Sequence, residues 1–328
     1  MKWRPSATIP AIEKRAELLR GIRDFFYENE FLEVQTPLLS RDTVVDRHLD
    51  PMVLPAKNLG LPNLEDSMAD FYLQTSPEFA MKRLITHGLE AIFQICHAFR
   101  AAESGPMHNP EFCMLEWYRV GDDRQAGMKL LGELIKRVSP WKEVEELSYQ
   151  EAFQLHADCD PLVDSDAALA ECAMKRLGAS SDFSKDRDDW LNLILADIVQ
   201  PKLGLEKPVL LYHYPASQSA LAKLSTDATG GKMNTAERFE LFIGGIELAN
   251  GYDELTDAQE LRQRNRRVNQ QRREDNNFEL PEESRLLEAM AHGMPNSSGC
   301  ALGVDRLLMV LMNANHIEDV LAFPIDRS

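Results

Sequence analysis

Two strand-like runs, Ala91 to Arg100 and Glu111 to Val120, flank the turn-rich stretch AAESGPMHNP. That pattern predicts an antiparallel hairpin with a long loop. A second hairpin is specified more tightly, by Glu240-Leu-Phe-Ile-Gly-Gly-Ile-Glu247. With Gly244-Gly245 as a two-residue turn, Ile243 pairs with Ile246, Phe242 with Glu247 and Glu240 with Ala249. Helical spacing from Pro10 to Glu30 leads into an extended Phe31 to Val34, and after a loop-like Asn58 to Asp70 a strand is expected from Phe71 to Thr75. Ser76-Pro77-Glu78 then reads as a helix start, with Ser76 as cap. Residues from about 122 to 207, including helical Ala126 to Val138 and Trp190 to Val199, read as a helical insertion. Strands return at Pro208 to Tyr214 and Arg238 to Tyr252, and Ser298 to Gly303 runs into an apolar helix, Leu307 to Met312. Hairpins separated by helices give an α+β fold with a mainly antiparallel sheet.

The 328 residues carry 53 acidic and 36 basic side chains, a formal charge of -17. Such a field repels nucleic-acid phosphates and anionic lipid, so no tRNA and no membrane is expected as a partner. The N-terminal MKWRPSATIP lacks the apolar core of a signal peptide, and Leu307 to Met312 is too short to span a bilayer. A cytoplasmic protein is expected. Cys96, Cys113, Cys159, Cys172 and Cys300 have neither disulfide nor zinc-site spacing.

Candidate chemistry gathers at a few acids and arginines. Alternation puts Phe112, Met114, Glu116 and Tyr118 on one strand face, and Glu116 among aromatics needs a cationic partner. Glu240 and Glu247 fall on one face of their hairpin as diagonal neighbours, a placement suited to Mg²⁺ or else to a solvated face. Strict alternation puts Asn250 on the other face and leaves Glu254 beyond the strand. Arg100 ends an apolar strand and Arg306 opens an apolar helix, so both are expected to be partly buried and aimed at anions. The alternative for Arg306 is structural pairing with Asp305 or Glu240. Gly299 and Gly303 frame the last strand, and Arg262 to Arg273 reads as a solvated helix with pairs such as Glu260 and Arg264.

Three stretches together carry a family resemblance. The long helix with Phe31-Leu-Glu-Val-Gln-Thr-Pro37, then Phe99-Arg100-Ala-Ala-Glu103 with His108-Asn-Pro-Glu-Phe112 and Glu116, then Gly299-Cys-Ala-Leu-Gly303-Val-Asp305-Arg306 resemble motifs 1, 2 and 3 of the class II aminoacyl-tRNA synthetases. Thr75-Ser-Pro-Glu78 and Gly245 to Glu254 are similar to the lysyl branch, and Leu115-Glu-Trp-Tyr-Arg119 and Leu211 to Ser217 to a truncated paralogue branch that modifies elongation factor P. The resemblance implies a single class II catalytic domain over 1-328 without an anticodon-binding domain, and a homodimer built through motif 1. It implies that ATP and Mg²⁺ activate (R)-β-lysine to an adenylate, and that the acyl group passes to a lysine ε-amine of elongation factor P.

The same resemblance implies residue roles. Arg100 holds the α-phosphate and acts in catalysis with Arg306, which covers adenine opposite Phe112. Glu103, His108, Asn109, Glu247, Leu248 and Gly303 line the ATP site, and Glu240 and Glu247 hold Mg²⁺. Ser76, Pro77, Glu78, Glu116, Tyr118, Asn250, Glu254 and Ala301 bind the diamino acid, whose two ammonium groups call for several carboxylates. Two departures from the lysyl pattern stand out. Ala102 occupies a position usually acidic, with Glu103 expected to take over its adenine contact, and Ala301 replaces the middle glycine of motif 3. An amide ligase acting on a small-molecule acceptor and a non-catalytic amino-acid-binding paralogue are the competing readings.

Overall fold

A computed structural model describes residues 3–60, 70–180, 183–184, 186–227 and 229–328, with Lys232 described by its backbone alone. Most of the expected loop from Asn58 to Asp70 lies outside the described residues. The chain forms two compact units, Met1–Gly121 with Leu255–Ser328, and Asp122–Glu254.

The first unit opens with helix α1 (Ile9–Glu28), capped by Thr8, whose hydroxyl accepts from Ala11 N–H. Short strands β1 (Leu32–Glu33), β2 (Leu39–Ser40), β3 (Val53–Leu54) and β4 (Phe71–Leu73) precede helix α2 (Glu78–Thr86). The long hairpin is β5 (Ala91–Phe99) and β6 (Glu111–Val120), within one residue of its expected limits. β1 lies parallel to β5, while β5 and β6 are antiparallel. Residues 113 to 118 of β6 are all buried, so both of its faces are covered. On one face Trp117 meets Phe26 of α1 at 5.2 Å between ring centres, and Phe26 stacks on Phe93 at 4.7 Å. α2 packs over the other.

The second unit holds α3 (Arg124–Val138), β7 (Glu145–Ser148), α4 (Tyr149–Ala157), α5 (Asp166–Leu177) and α6 (Arg187–Ile194). Its remaining strands are β8 (Val209–Pro215), β9 (Leu224–Thr226), β10 (Lys232–Ile243) and β11 (Ile246–Asp253), in the order β11-β10-β8-β7 with β9 also on β10. The segment 122 to 207 is not wholly helical, because β7 pairs in parallel with β8. Glu-Glu-Leu-Ser is too short and polar to announce a strand, and its order comes from backbone pairing. The helices of that segment share one core with the strands: Tyr149, Phe153, Trp190 and Ile194 pack with Leu211, Tyr214 and Phe242.

The chain then returns to the first unit with α7 (Ala258–Glu274), α8 (Arg285–Ala291), β12 (Ser297–Gly303) and α9 (Val304–Met312). β12 pairs antiparallel with β6, placing Gly299 opposite Tyr118, Ala301 opposite Glu116 and Gly303 opposite Met114. On α7 the arginines are held locally: Arg264 pairs with Glu260 as expected, Arg262 with Glu283, Arg266 with Glu282 and Arg273 with Glu279. Arg272 is fully buried, binding Asp50 and the carbonyls of Asp46 and Phe278. Among the described residues no helix is long and apolar enough to cross a membrane.

Candidate active site

In the first unit the chain between β4 and α2 is built around Ser76. The helix starts at Glu78, two residues after Ser76, with Pro77 as its cap residue. Ser76 thus lies one residue before the cap position expected for it, yet its Oγ accepts from Glu78 N–H at 3.0 Å and donates to Glu116 Oε1 at 2.6 Å. The Tyr118 hydroxyl donates to Glu116 Oε2 at 2.9 Å. Glu116 is 1% exposed. Burial first, then the neighbouring Glu78 carboxylate, push its carboxyl up to about 7, against the opposing pull of Ser76, Tyr118 and Lys82.

Lys82 was not among the residues expected from the sequence. It lies one helical turn beyond Glu78, is 2% exposed, forms an ion pair with the Glu78 carboxylate and stands 5.9 Å from the centre of the Tyr118 ring. The i,i+4 spacing of an acid and a lysine on a short helix carries this signal, but nothing in it distinguishes a buried pair from a solvated one. Across from Glu116, Ala301 contributes a single methyl beside the carboxylate, flanked by Gly299 and Gly303.

The other candidate residues of this unit lie on the loop of the long hairpin and at the start of α9. Arg100 N–H donates to Pro110 O at 2.9 Å and Ala101 N–H to Asp50 O at 2.8 Å, which fixes the base of the loop. Ala102 has a left-handed φ of 61°, and Glu103 turns to within 3.6 Å of the Arg100 guanidinium. The same guanidinium lies 4.9 Å over the Phe112 ring, and Arg100 Nε is buried with no hydrogen-bond partner among the described residues. An anionic oxygen is the acceptor that such a donor suits.

Arg306 donates to His108 Nε2 and to Met107 O, so it grips the opposite side of the loop. Burial and the Arg306 charge lower the His108 pKa, which keeps the accepting imidazole neutral. Asp305 is engaged by Arg15 of α1 and by Cys113 N–H at 2.7 Å, one on each oxygen. Asn109 uses both amide ends on the backbone, donating to Glu111 O at 2.6 Å and accepting from Ile325 N–H at 3.0 Å.

In the second unit the Gly244-Gly245 turn pairs Ile243 with Ile246 and Phe242 with Glu247, as expected. Beyond these pairs the register departs from the expectation: Leu241 pairs with Ala249, and Glu240 pairs with Asn250 rather than Ala249. Leu248 is the extra residue of a β-bulge, and it and Ala249 are both 2% exposed. The bulge changes the phase of β11, so Asn250 and Tyr252 share the face of Glu240 and Glu247, contrary to strict alternation. Glu254 follows on that phase, outside the strand proper, bridged to Ala222. Gly251 fixes this register, since a Cβ there would come within 2.3 Å of the Phe239 ring. Glu254 is buried, and Asn250 Oδ1 is buried with no hydrogen-bond partner among the described residues.

Glu240 is 3% exposed and already bound on both oxygens, by Arg238 and by the Tyr214 hydroxyl. Burial and the Glu240 charge raise the Tyr214 pKa well above its ordinary value, against the opposing pull of Arg238, which keeps that donor protonated. A carboxylate has about four lone-pair positions, so Glu240 retains capacity beyond these two bonds. Glu247, partly exposed on the same face, supplies further hard oxygen donors. The pair therefore fits Mg²⁺ in donor chemistry, with Glu247 the more accessible ligand.

The family model of class II tRNA synthetases (D, K and N) matches residues 1–327, and the chain belongs to that family. Its α+β fold with mainly antiparallel strands is that of the class II catalytic domain. Among individual relatives, the elongation factor P–(R)-β-lysine ligase of Salmonella paratyphi B is 44% identical over 331 residues, covering 99% of this chain and 98% of the relative. The same-named proteins of Salmonella heidelberg and Salmonella enteritidis PT4 match to the same extent.

Proposed function

We propose that this chain is an AMP-forming ligase that activates (R)-β-lysine with ATP and transfers it to the ε-amine of a lysine on elongation factor P. A substrate carboxylate oxygen attacks the α-phosphorus of ATP and pyrophosphate leaves, giving an aminoacyl-adenylate. The acceptor amine then attacks the acyl carbon, an amide forms and AMP leaves. Arg100, at the base of the hairpin loop, and Arg306, in the first turn of α9, stabilise charge on the phosphate oxygens. Phe112 gives adenine an aromatic face, while Glu103, His108, Asn109, Leu248 and Gly303 shape the nucleotide surroundings. Glu240 and Glu247 would hold Mg²⁺, which would supply neutralisation of phosphate charge.

The observation that carries this reading is Glu116. It is a fully buried carboxylate held by Ser76 and Tyr118, beside Glu78, and such a group is built to receive an ammonium rather than a neutral ligand. Asn250 and Glu254 are assigned to the same substrate by the family resemblance. The extent of identity with the named ligases supports the choice of β-lysine and of elongation factor P. We also propose a homodimer through the motif 1 segment, where Leu32 and Leu38 are exposed.

Incubation with ATP, (R)-β-lysine and elongation factor P, followed by intact-mass measurement, tests the function. A gain of one β-lysyl residue on the factor is expected. Pyrophosphate exchange without that gain would point to a small-molecule acceptor, and no exchange at all would refute the enzymatic reading.

A further inference from the structure

Four consecutive residues of the loop between β5 and β6 are held from outside it. Pro106 O accepts from Ile317 N–H at 2.7 Å, Arg306 reaches Met107 O and His108 Nε2, and Asn109 Oδ1 accepts from Ile325 N–H at 3.0 Å. Two of these holds come from one stretch beyond α9, residues 317 to 325. That stretch is itself tied to the N-terminal residues: Arg15 of α1 donates to Val320 O at 3.1 Å, and Ser6 and Ala7 N–H donate to Ala322 O and Leu321 O at 2.9 and 3.1 Å. Asn109 is buried, and its Nδ2 donates to the carbonyl of Glu111, the residue before Phe112. Its amide therefore joins the stretch to the start of β6.

We propose that residues 317 to 325 form a strap that positions the nucleotide loop, with the N–H groups of Ile317 and Ile325 acting on ATP through Pro106 and Asn109. The inference rests on the proposed function, which puts His108, Asn109 and Phe112 at the nucleotide, and deepens it. Arg306 is assigned to ATP as well, so any bond it makes there competes with Met107 and His108. The donors of the strap have no competing task. Burial of Ile317 and Val320 anchors the stretch to the core, but it does not require two N–H groups to meet the loop. Ile325 shows this best, since its side chain is half exposed and what it gives the loop is its N–H.

Proline removes an N–H and leaves the chain in place where the backbone already suits it. Ile325 is the second residue of a turn closed by Arg327 N–H to Pro324 O at 2.8 Å, a position that proline favours. Ile317 opens a short 3₁₀ turn, and His316 before it is extended at φ -128° and ψ 139°, as a residue preceding proline must be. Ile325→Pro and Ile317→Pro are each expected to raise the Kd for ATP in calorimetry, and the KM for ATP in pyrophosphate exchange, by about tenfold. The kcat and the KM for (R)-β-lysine should stay within about twofold. Ile325→Ala keeps the N–H and should bind ATP as the unsubstituted protein does. In an Asn109→Ala background, Ile325→Pro should add less than about twofold.

A folded Ile325→Pro variant with unchanged ATP affinity overturns the proposal. So does an equal loss in Ile325→Ala, which would assign the effect to the side chain, or full additivity with Asn109→Ala. Should one proline variant fail to fold, the other decides by the same readout. Failure of the functional reading is separate: it would show as an unsubstituted protein that binds ATP in calorimetry yet gives no β-lysine-dependent exchange.

Discussion

Replacing Glu116 with glutamine should make the protein more stable at alkaline pH while disabling it. The carboxyl moves from its ordinary 4.5 to about 7 on folding, which corresponds to about 3 kcal/mol against the ionised form. A carboxyl raised in this way binds its proton more tightly when folded than when unfolded. Stability therefore falls as pH rises from about 4.5 to about 7, and the penalty is fully present above that range. Glutamine removes the titration and keeps the contacts: its amide oxygen accepts from Ser76, and its nitrogen donates to the Tyr118 hydroxyl oxygen. In thermal melts followed by circular dichroism, the variant should match the unsubstituted protein near pH 5 and melt about 3–6 °C higher at pH 8. Its KM for (R)-β-lysine should rise about 100-fold, since a neutral amide replaces an ionic partner. A variant less stable at pH 8, or an offset identical at both pH values, would refute the reasoning.

The same carboxyl predicts that the KM for amino acid falls between pH 6 and pH 8 with a midpoint at about 7, while the KM for ATP does not follow it; steady-state exchange across that range measures both. Ala301→Gly, which removes the methyl opposite Glu116, should shift preference from (R)-β-lysine toward L-α-lysine by about tenfold in kcat/KM. An unchanged ratio would remove any role of that methyl in selectivity. Arg272→Met strips a fully buried guanidinium from Asp50 and several carbonyls, and should cost about 3–5 kcal/mol in urea unfolding. Because Asp50 O accepts from Ala101 N–H, the Arg272 variant should also raise the KM for ATP.

The sequence carried the first unit's architecture further than the second's. The long hairpin was legible because strand composition and a turn-rich loop agree over many residues, and the Gly244-Gly245 turn because two glycines accept left-handed backbone at φ of 61° and 75°. The bulge at Leu248 was not legible: Leu-Ala-Asn-Gly reads as regular alternation, and the extra residue follows from tertiary packing of Leu248 and Ala249 together. β7 was hidden for a similar reason, since its pairing with β8 is backbone recognition. Glu116 could be singled out from its aromatic neighbours, whereas Lys82 could not, because its partner is visible in the sequence and its burial is not. The arginines of α7 behaved as a helix of local ion pairs, apart from Arg272, whose burial no local pattern signals.

The bulge has an implication for how this hairpin tolerates change in length. Deleting Leu248 would remove the bulge yet keep Ala249 opposite Leu241 and Asn250 opposite Glu240, so Asn250 and Glu254 would hold their face. Keeping Leu248 in a regular ladder would instead pair Glu240 with Ala249 and turn Asn250 and Glu254 to the opposite surface, although every one of those side chains would still be encoded. The ribbon therefore stands to lose less from a missing residue at this point than from a one-residue slip beside it.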